Sequence, residues 1–175
     1  MIIEAVYDKL FAGGDVMSIF YEARLETWNE IKGLTDDQLN KKPSADEWSI
    51  REVLDHLKLI DAAAQTAFKD RVKDAPLKEI EEKPVEMAED RTNKRKAPSH
   101  FEPDQSYMSG SQMKQELDVV REQLTSIIAS LKEDNFNRVL PHPVFQELTV
   151  KQFIDFIGHH EKRHLSQIKE TKEKI

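Results

Sequence analysis

Apolar residues in this chain recur in steps of three and four over four long stretches, and Val, Ile and Thr form no alternating runs that predict strands. The first helix is expected over residues 15–32, with Val16, Phe20, Ala23, Thr27 and Ile31 inward and Gly33 as its stop. A short amphipathic segment, residues 2–11, precedes it and ends at Gly13-Gly14. The second helix, residues 49–73, turns Ile50, Val53, Leu57, Ile60, Ala64 and Phe68 inward. The third, residues 111–132, has the most regular stripe: Met113, Leu117, Val120, Leu124, Ile127 and Leu131. The fourth, residues 149–172, begins its stripe with Val150, Phe153 and Ile157. Four helices of about 30 Å each predict an all-α protein built as one four-helix bundle.

Helix starts are marked by local chemistry. Thr35-Asp-Asp-Gln38, Ser49-Ile-Arg-Glu52 and Thr149-Val-Lys-Gln152 each read as a capping box, with a hydroxyl at the cap and Glu or Gln three residues on. Each carries a hydrophobic staple: Leu34 with Leu39, Trp48 with Val53, Leu148 with Phe153. Residues 75–109 hold four prolines and many charges, too broken for a long helix and too long for an ordinary bundle loop. They are read as a connection laid over the bundle, compatible with up-down-up-down order or with a crossover. Residues 135–147, around Pro141-His142-Pro143, are read as a second irregular section.

Composition narrows the chemistry. At 175 residues, 34% charged and 38% hydrophobic, the chain fits one globular domain over residues 1–175. A net charge of −7 argues against nucleic acid as a partner. No apolar run is long enough for a membrane span, and the N-terminus lacks the basic start of a signal peptide, so a cytoplasmic location is expected. The absence of cysteine excludes disulfides, thiolate nucleophiles and cysteine-type zinc sites. Any metal must be held by His, Asp or Glu.

That requirement points to the fourth helix, whose apolar stripe continues as His160 and His164. Residues four apart lie about 40° from each other on a helix, so this pair can share one metal ion, whereas His159 points to the flank. On the second helix His56 sits at the edge of the buried stripe and is the natural third ligand; His100 and His142, in proline-rich segments, are held as backups. His160-Glu-Lys-Arg-His164 also matches the zinc-protease string H-E-x-x-H. Geometry excludes that reading: a downstream ligand would fall at Glu170, facing away, and Glu161 points off the histidine direction, toward a surface or dimer contact. Arg91-Thr-Asn-Lys-Arg-Lys96 is read as a solvated basic loop, and Trp28 and Trp48 as core and cap residues.

Taken together, Pro43-Ser-Ala-Asp-Glu-Trp-Ser-Ile-Arg-Glu-Val-Leu-Asp-His-Leu57, Ala97-Pro-Ser-His-Phe-Glu-Pro103, His142-Pro-Val-Phe145 and the segment from Leu148 to Ile168 resemble the DinB-like (YfiT-like) family. The resemblance implies a bundle of that type, usually dimeric, with a divalent metal (zinc or nickel) on His56, His160 and His164. It further implies a metal-dependent enzyme acting on small molecules, either a hydrolase or a transferase using a low-molecular-weight thiol cosubstrate such as bacillithiol or mycothiol. The alternative is a metal-binding or dimeric bundle without catalysis. One departure stands out: Gln146 follows Pro-Val-Phe where a small residue, often glycine, is expected.

Overall fold

The computed structural model describes residues 18–92 and 96–175. The expected segment at residues 2–11, the Gly13-Gly14 stop and the start of the first helix, Val16 included, lie outside the described residues. Five α-helices follow in order: α1 (Ser18–Ile31), α2 (Asp36–Asn40), α3 (Ile50–Arg71), α4 (Gly110–Ser130) and α5 (Val150–Lys172). The four long ones form the bundle, and α2 closes one end. All three capping boxes form, at Thr35, Ser49 and Thr149. The third long helix starts slightly earlier than its stripe suggested, because the Ser109 hydroxyl accepts the Gln112 N–H and caps it.

Side-chain pairings fix the helix directions. Lys162 reaches Glu26 and Lys172 reaches Glu30, so α1 and α5 run parallel. Ring contacts of His56 with His160 and of Phe68 with Phe153 set α3 antiparallel to α5. Lys58 with Glu116 and Asp61 with Arg121 set α3 parallel to α4. Two successive helices that run the same way require a connection spanning the bundle's full length, about 30 Å. This is the crossover alternative, and it explains the long proline-rich link. Three short 3₁₀ turns, Val72–Asp74, Val85–Glu89 and Ser99–Phe101, break its course.

The second irregular section is corrected by the structure. It holds a two-stranded antiparallel hairpin, β1 (Val139–His142) and β2 (Gln146–Thr149), with His142 opposite Gln146. Four-residue strands interrupted by proline carry too little alternation to be read from sequence. Gln146 closes the turn at φ 65°, the left-handed conformation that glycine adopts without cost. This accounts for the glycine expected here. Thr149 ends β2 and caps α5, so the hairpin sets where α5 begins.

The core has two apolar halves. One gathers Phe20, Ala64, Phe68, Leu124, Ile128, Ile154 and Ile157; the other gathers Leu39, Ile50, Val53, Leu57, Met113, Leu117 and Ile168. Leu34 and Trp48 pack on the second half beside their staple partners Leu39 and Val53. On α4 the expected Val120, Ile127 and Leu131 are only half-buried, whereas Arg121 and Ile128 point inward. Gly158 permits the close crossing of α1 and α5, since a Cβ there would lie 2.8 Å from the backbone of Ile19 and Phe20.

Between the two halves, each long helix contributes one charged side chain to a single buried network: Arg24, Asp61, Arg121 and Glu161. Arg24 donates to Glu161 through Nε (2.6 Å) and Nη2 (3.2 Å), and to Asp61 through Nη2 (3.0 Å). Arg121 donates to Asp61 through Nε (2.8 Å) and Nη2 (3.0 Å), and to Glu161 through Nη2 (2.6 Å). Burial alone would push the Glu161 carboxyl up, but the two guanidinium groups outweigh it and hold the carboxyl below its ordinary range. Glu161 is wholly enclosed, which corrects the surface or dimer-contact role expected for it.

Two stability predictions follow from these elements. Glu161→Ala leaves two buried guanidinium groups sharing one carboxylate and is expected to cost about 3–5 kcal/mol in urea unfolding. A loss below about 1 kcal/mol would mean the network contributes little. Gln146→Gly removes the left-handed strain and is expected to stabilise by up to about 1 kcal/mol; measurable destabilisation would contradict the turn geometry.

Candidate metal centre

Helix α5 brings His160 and His164 to one face, and α3, running the opposite way, brings His56 opposite them. His160 Nε2 lies 3.2 Å from His56 Nε2 and 3.2 Å from His164 Nε2, and the three ligand atoms fall within 4.8 Å of one another. Three nitrogens bound to one tetrahedral ion at about 2.0–2.1 Å stand about 3.3 Å apart, and the two separations from His160 match that spacing. Among the described residues no other group of three or more His, Asp and Glu side chains converges this way.

Hydrogen bonding at the far side of each ring matters as much. His56 Nδ1 lies 2.7 Å from the carbonyl oxygen of Phe101. A carbonyl can only accept, so His56 carries its proton on Nδ1 and presents a lone pair at Nε2. His164 Nδ1 lies 2.9 Å from Gln167 Oε1, and with the amide oxygen on that side the same tautomer follows. Two lone pairs therefore converge on His160, whose Nε2 could donate a single proton to them. A cation satisfies all three.

The rings are kept neutral by their surroundings. Burial, followed by the neighbouring His56, lowers His160 to about 3. Burial likewise lowers His56 and drives His164 well below the ordinary imidazole value. Trp48 packs on His56 at 5.1 Å between ring centres, and Phe156 on His160 at 5.5 Å. Trp48 is thus both cap neighbour and a wall of the cluster.

The other histidines go elsewhere. His159 points to the flank, as its phase predicts, and its Nδ1 lies 2.6 Å from Glu89 Oε1. His100 is exposed beside Phe101. His142, the other backup ligand, is buried between Phe153 and Phe156, and burial lowers it to about 4. Its Nδ1 accepts the N–H groups of Val144 and Phe145, so it staples the hairpin turn and stays outside the cluster.

The protease string fails for a further reason: Glu161, its would-be base, is held by Arg24 and Arg121. Glu170 is bound by Arg91, which donates to both its oxygens at 2.9 Å. Arg91 is therefore no solvated loop residue, although Lys96, from the same basic run, is largely exposed. Nothing in the local sequence marks Arg91 out; its partners lie on α5, far along the chain.

Comparison with known proteins agrees with this architecture. A chain 78% identical over 159 residues, covering 91% of this chain and 98% of its own length, is the uncharacterised protein YuaE of Bacillus subtilis (strain 168). Among solved structures, YfiT of Bacillus subtilis superposes with a TM-score of 0.59 at 17% identity, over 90% of this chain and 84% of its own. YfiT is described as a probable metal-dependent hydrolase with an unusual four-helix bundle topology. The DinB superfamily model matches residues 19–168, nearly the whole described chain, and on that match the protein belongs to the DinB superfamily.

Proposed function

We propose that the chain binds one divalent cation, zinc or nickel, through the Nε2 atoms of His56, His160 and His164, and uses it as an enzyme on small molecules. The observation that carries this reading is the convergence of three neutral imidazoles, two of them with Nδ1–H tied to a fixed acceptor. Three protein ligands leave a coordination position open, the pattern of catalytic sites and not of closed structural ones. A cation held there would supply Lewis acidity toward an oxygen or sulfur atom of the substrate. The chain's own residues orient the ligands, keep them unprotonated and line the cluster with Trp48 and Phe156.

Two reaction classes suit such a site. Hydrolysis comes from the description of YfiT. Thiol transfer comes from the family resemblance, and since this chain has no cysteine, the sulfur nucleophile would arrive with a low-molecular-weight cosubstrate. Assays with thiol-plus-electrophile pairs and with ester or amide panels separate the two.

Metal loading is the direct test. Purified protein stripped with chelator and incubated with Zn²⁺ or Ni²⁺ is expected to retain one ion per chain by elemental analysis. His56→Ala is expected to weaken binding by more than the roughly 10–100-fold typical of losing an orienting partner. Retention of the ion by His56→Ala at wild-type affinity would remove His56 from the site.

The lowered imidazoles also predict a pH effect on the metal-free protein. Below about pH 6.5 the unfolded chain takes up protons that the native His160, held at about 3, refuses, so stability falls as pH falls through that value. Urea unfolding at pH 7.5 and 5.5 is expected to show a smaller pH-dependent loss in His160→Asn than in wild type. Equal losses in the two proteins would contradict a neutral His160 with a lowered pKa.

A further inference from the structure

The connection between α3 and α4 is fastened along one flank of α5 by a ladder of side chains at near-helical intervals. His159 meets Glu89, Arg163 donates to the carbonyl of Asp90, and Gln167 and Glu170 both meet Arg91. The rung at Gln167 differs from the others because it continues into the histidine cluster. Gln167 Oε1 accepts from Arg91 Nη1 at 3.1 Å and from His164 Nδ1 at 2.9 Å.

A glutamine amide can turn either its oxygen or its NH2 group toward a neighbour, and an imidazole can carry its proton on either nitrogen. The Gln167–His164 pair alone is therefore satisfied in two ways. In one, oxygen faces Nδ1–H and Nε2 is a lone pair. In the other, NH2 faces an unprotonated Nδ1 and the proton sits on Nε2, where it blocks a metal. Arg91 breaks the tie. A guanidinium is donor-only and permanently protonated, so it requires the amide oxygen on its side. That same oxygen then requires the proton of His164 to be on Nδ1.

The geometry points to Arg91 as a positioning residue that sets the tautomer of His164, through the orientation of the Gln167 amide, and so prepares Nε2 for a cation. Arg91 is well placed for this: its side chain is only 14% exposed and its other donors are held by Glu170 at 2.9 Å. The opposite ligand is served by the same connection, since His56 is oriented by the Phe101 carbonyl. Phe101 is in turn followed by Asp104, whose N–H donates to Asp55 and whose carbonyl accepts from Arg51 on α3. Two of the three histidines thus receive their proton placement from the crossover, so that docking of the connection and binding of the cation favour each other. The inference rests on the metal reading above.

The test uses full-length protein, Co²⁺ as spectroscopic probe, and four variants: Arg91→Ala, Arg91→Lys, Gln167→Glu and the double variant Arg91→Ala/Gln167→Glu. Arg91→Ala is expected to weaken Co²⁺ binding roughly tenfold or more, within the range for loss of an outer partner. Arg91→Lys, still donor-only, is expected to recover most of the affinity. In the Gln167→Glu background the acceptor cannot be reversed, so adding Arg91→Ala is expected to change affinity less than twofold. A purely structural role for Arg91, through its clamp on Glu170, would produce the same loss in both backgrounds and overturn the inference. Wild-type affinity in Arg91→Ala would do the same. Long-range ¹H–¹⁵N spectra of the metal-free protein supply a second readout: His164 protonated on Nδ1 in wild type, and a mixture of tautomers in Arg91→Ala. If wild type binds no Co²⁺, the metal reading fails, and these spectra still decide the tautomer claim: a single unchanged tautomer in Arg91→Ala sinks it.

Discussion

The buried network of Arg24, Asp61, Arg121 and Glu161 is the constraint on which the rest of the bundle depends. Apolar stripes alone tolerate rotation and sliding, because one Leu or Ile replaces another in a similar hole. Four charges, one per long helix, tolerate neither. Rotating α5 by one residue would withdraw Glu161 from Arg24 and Arg121 and leave two guanidinium groups buried with one carboxylate. Such a network adds less net stability than its contacts suggest, because desolvation offsets much of the attraction. Its effect is selective: alternatives to the native register are penalised. Since Glu161 lies between His160 and His164 in sequence, fixing its direction toward α1 and α4 also fixes the two imidazoles toward α3.

Chain topology completes what the network begins. Parallel α3 and α4 demand a full-length connection, and that connection passes over the side of the bundle where the histidines emerge. It supplies the Phe101 carbonyl that accepts from His56 and the Arg91 guanidinium that donates to Gln167. An up-down-up-down bundle with short loops would have no segment at this position. The parallel order of α3 and α4 is therefore tied to the site and is not merely a variant way of packing four apolar stripes.

Much of this was legible in the sequence. Capping chemistry is local, so Thr35, Ser49 and Thr149 marked their helix starts without tertiary information. Helical phase selected His160 and His164 over His159, and His56 followed from its place beside the buried stripe of α3. What escaped notice depends on partners distant in the chain. Arg24, Asp61 and Arg121 look like ordinary surface charges until they meet across the bundle, and a stripe drawn from hydrophobicity passes over them. On α4 this displaced the reading toward Val120 and Ile127, while Arg121 and Ile128 in fact face inward. Arg91 was read with its basic neighbours as solvated, although a bidentate carboxylate on α5 claims it. His142 was placed in a loop because proline interrupts its short strand, but the hairpin buries it.

The same network also bears on which group could move a proton during a reaction. In the H-E-x-x-H string the glutamate normally serves as base beside the metal. Here it holds two guanidinium groups on an adjacent face of α5 and lies below the ordinary carboxylate range. To accept a proton, Glu161 would have to break the contacts that set the helix register. His142 is equally committed, with Nδ1 engaged by two backbone N–H groups and its ring sealed among phenylalanines. Both groups are thus committed to structure, and the H-E-x-x-H match carries no protease mechanism here.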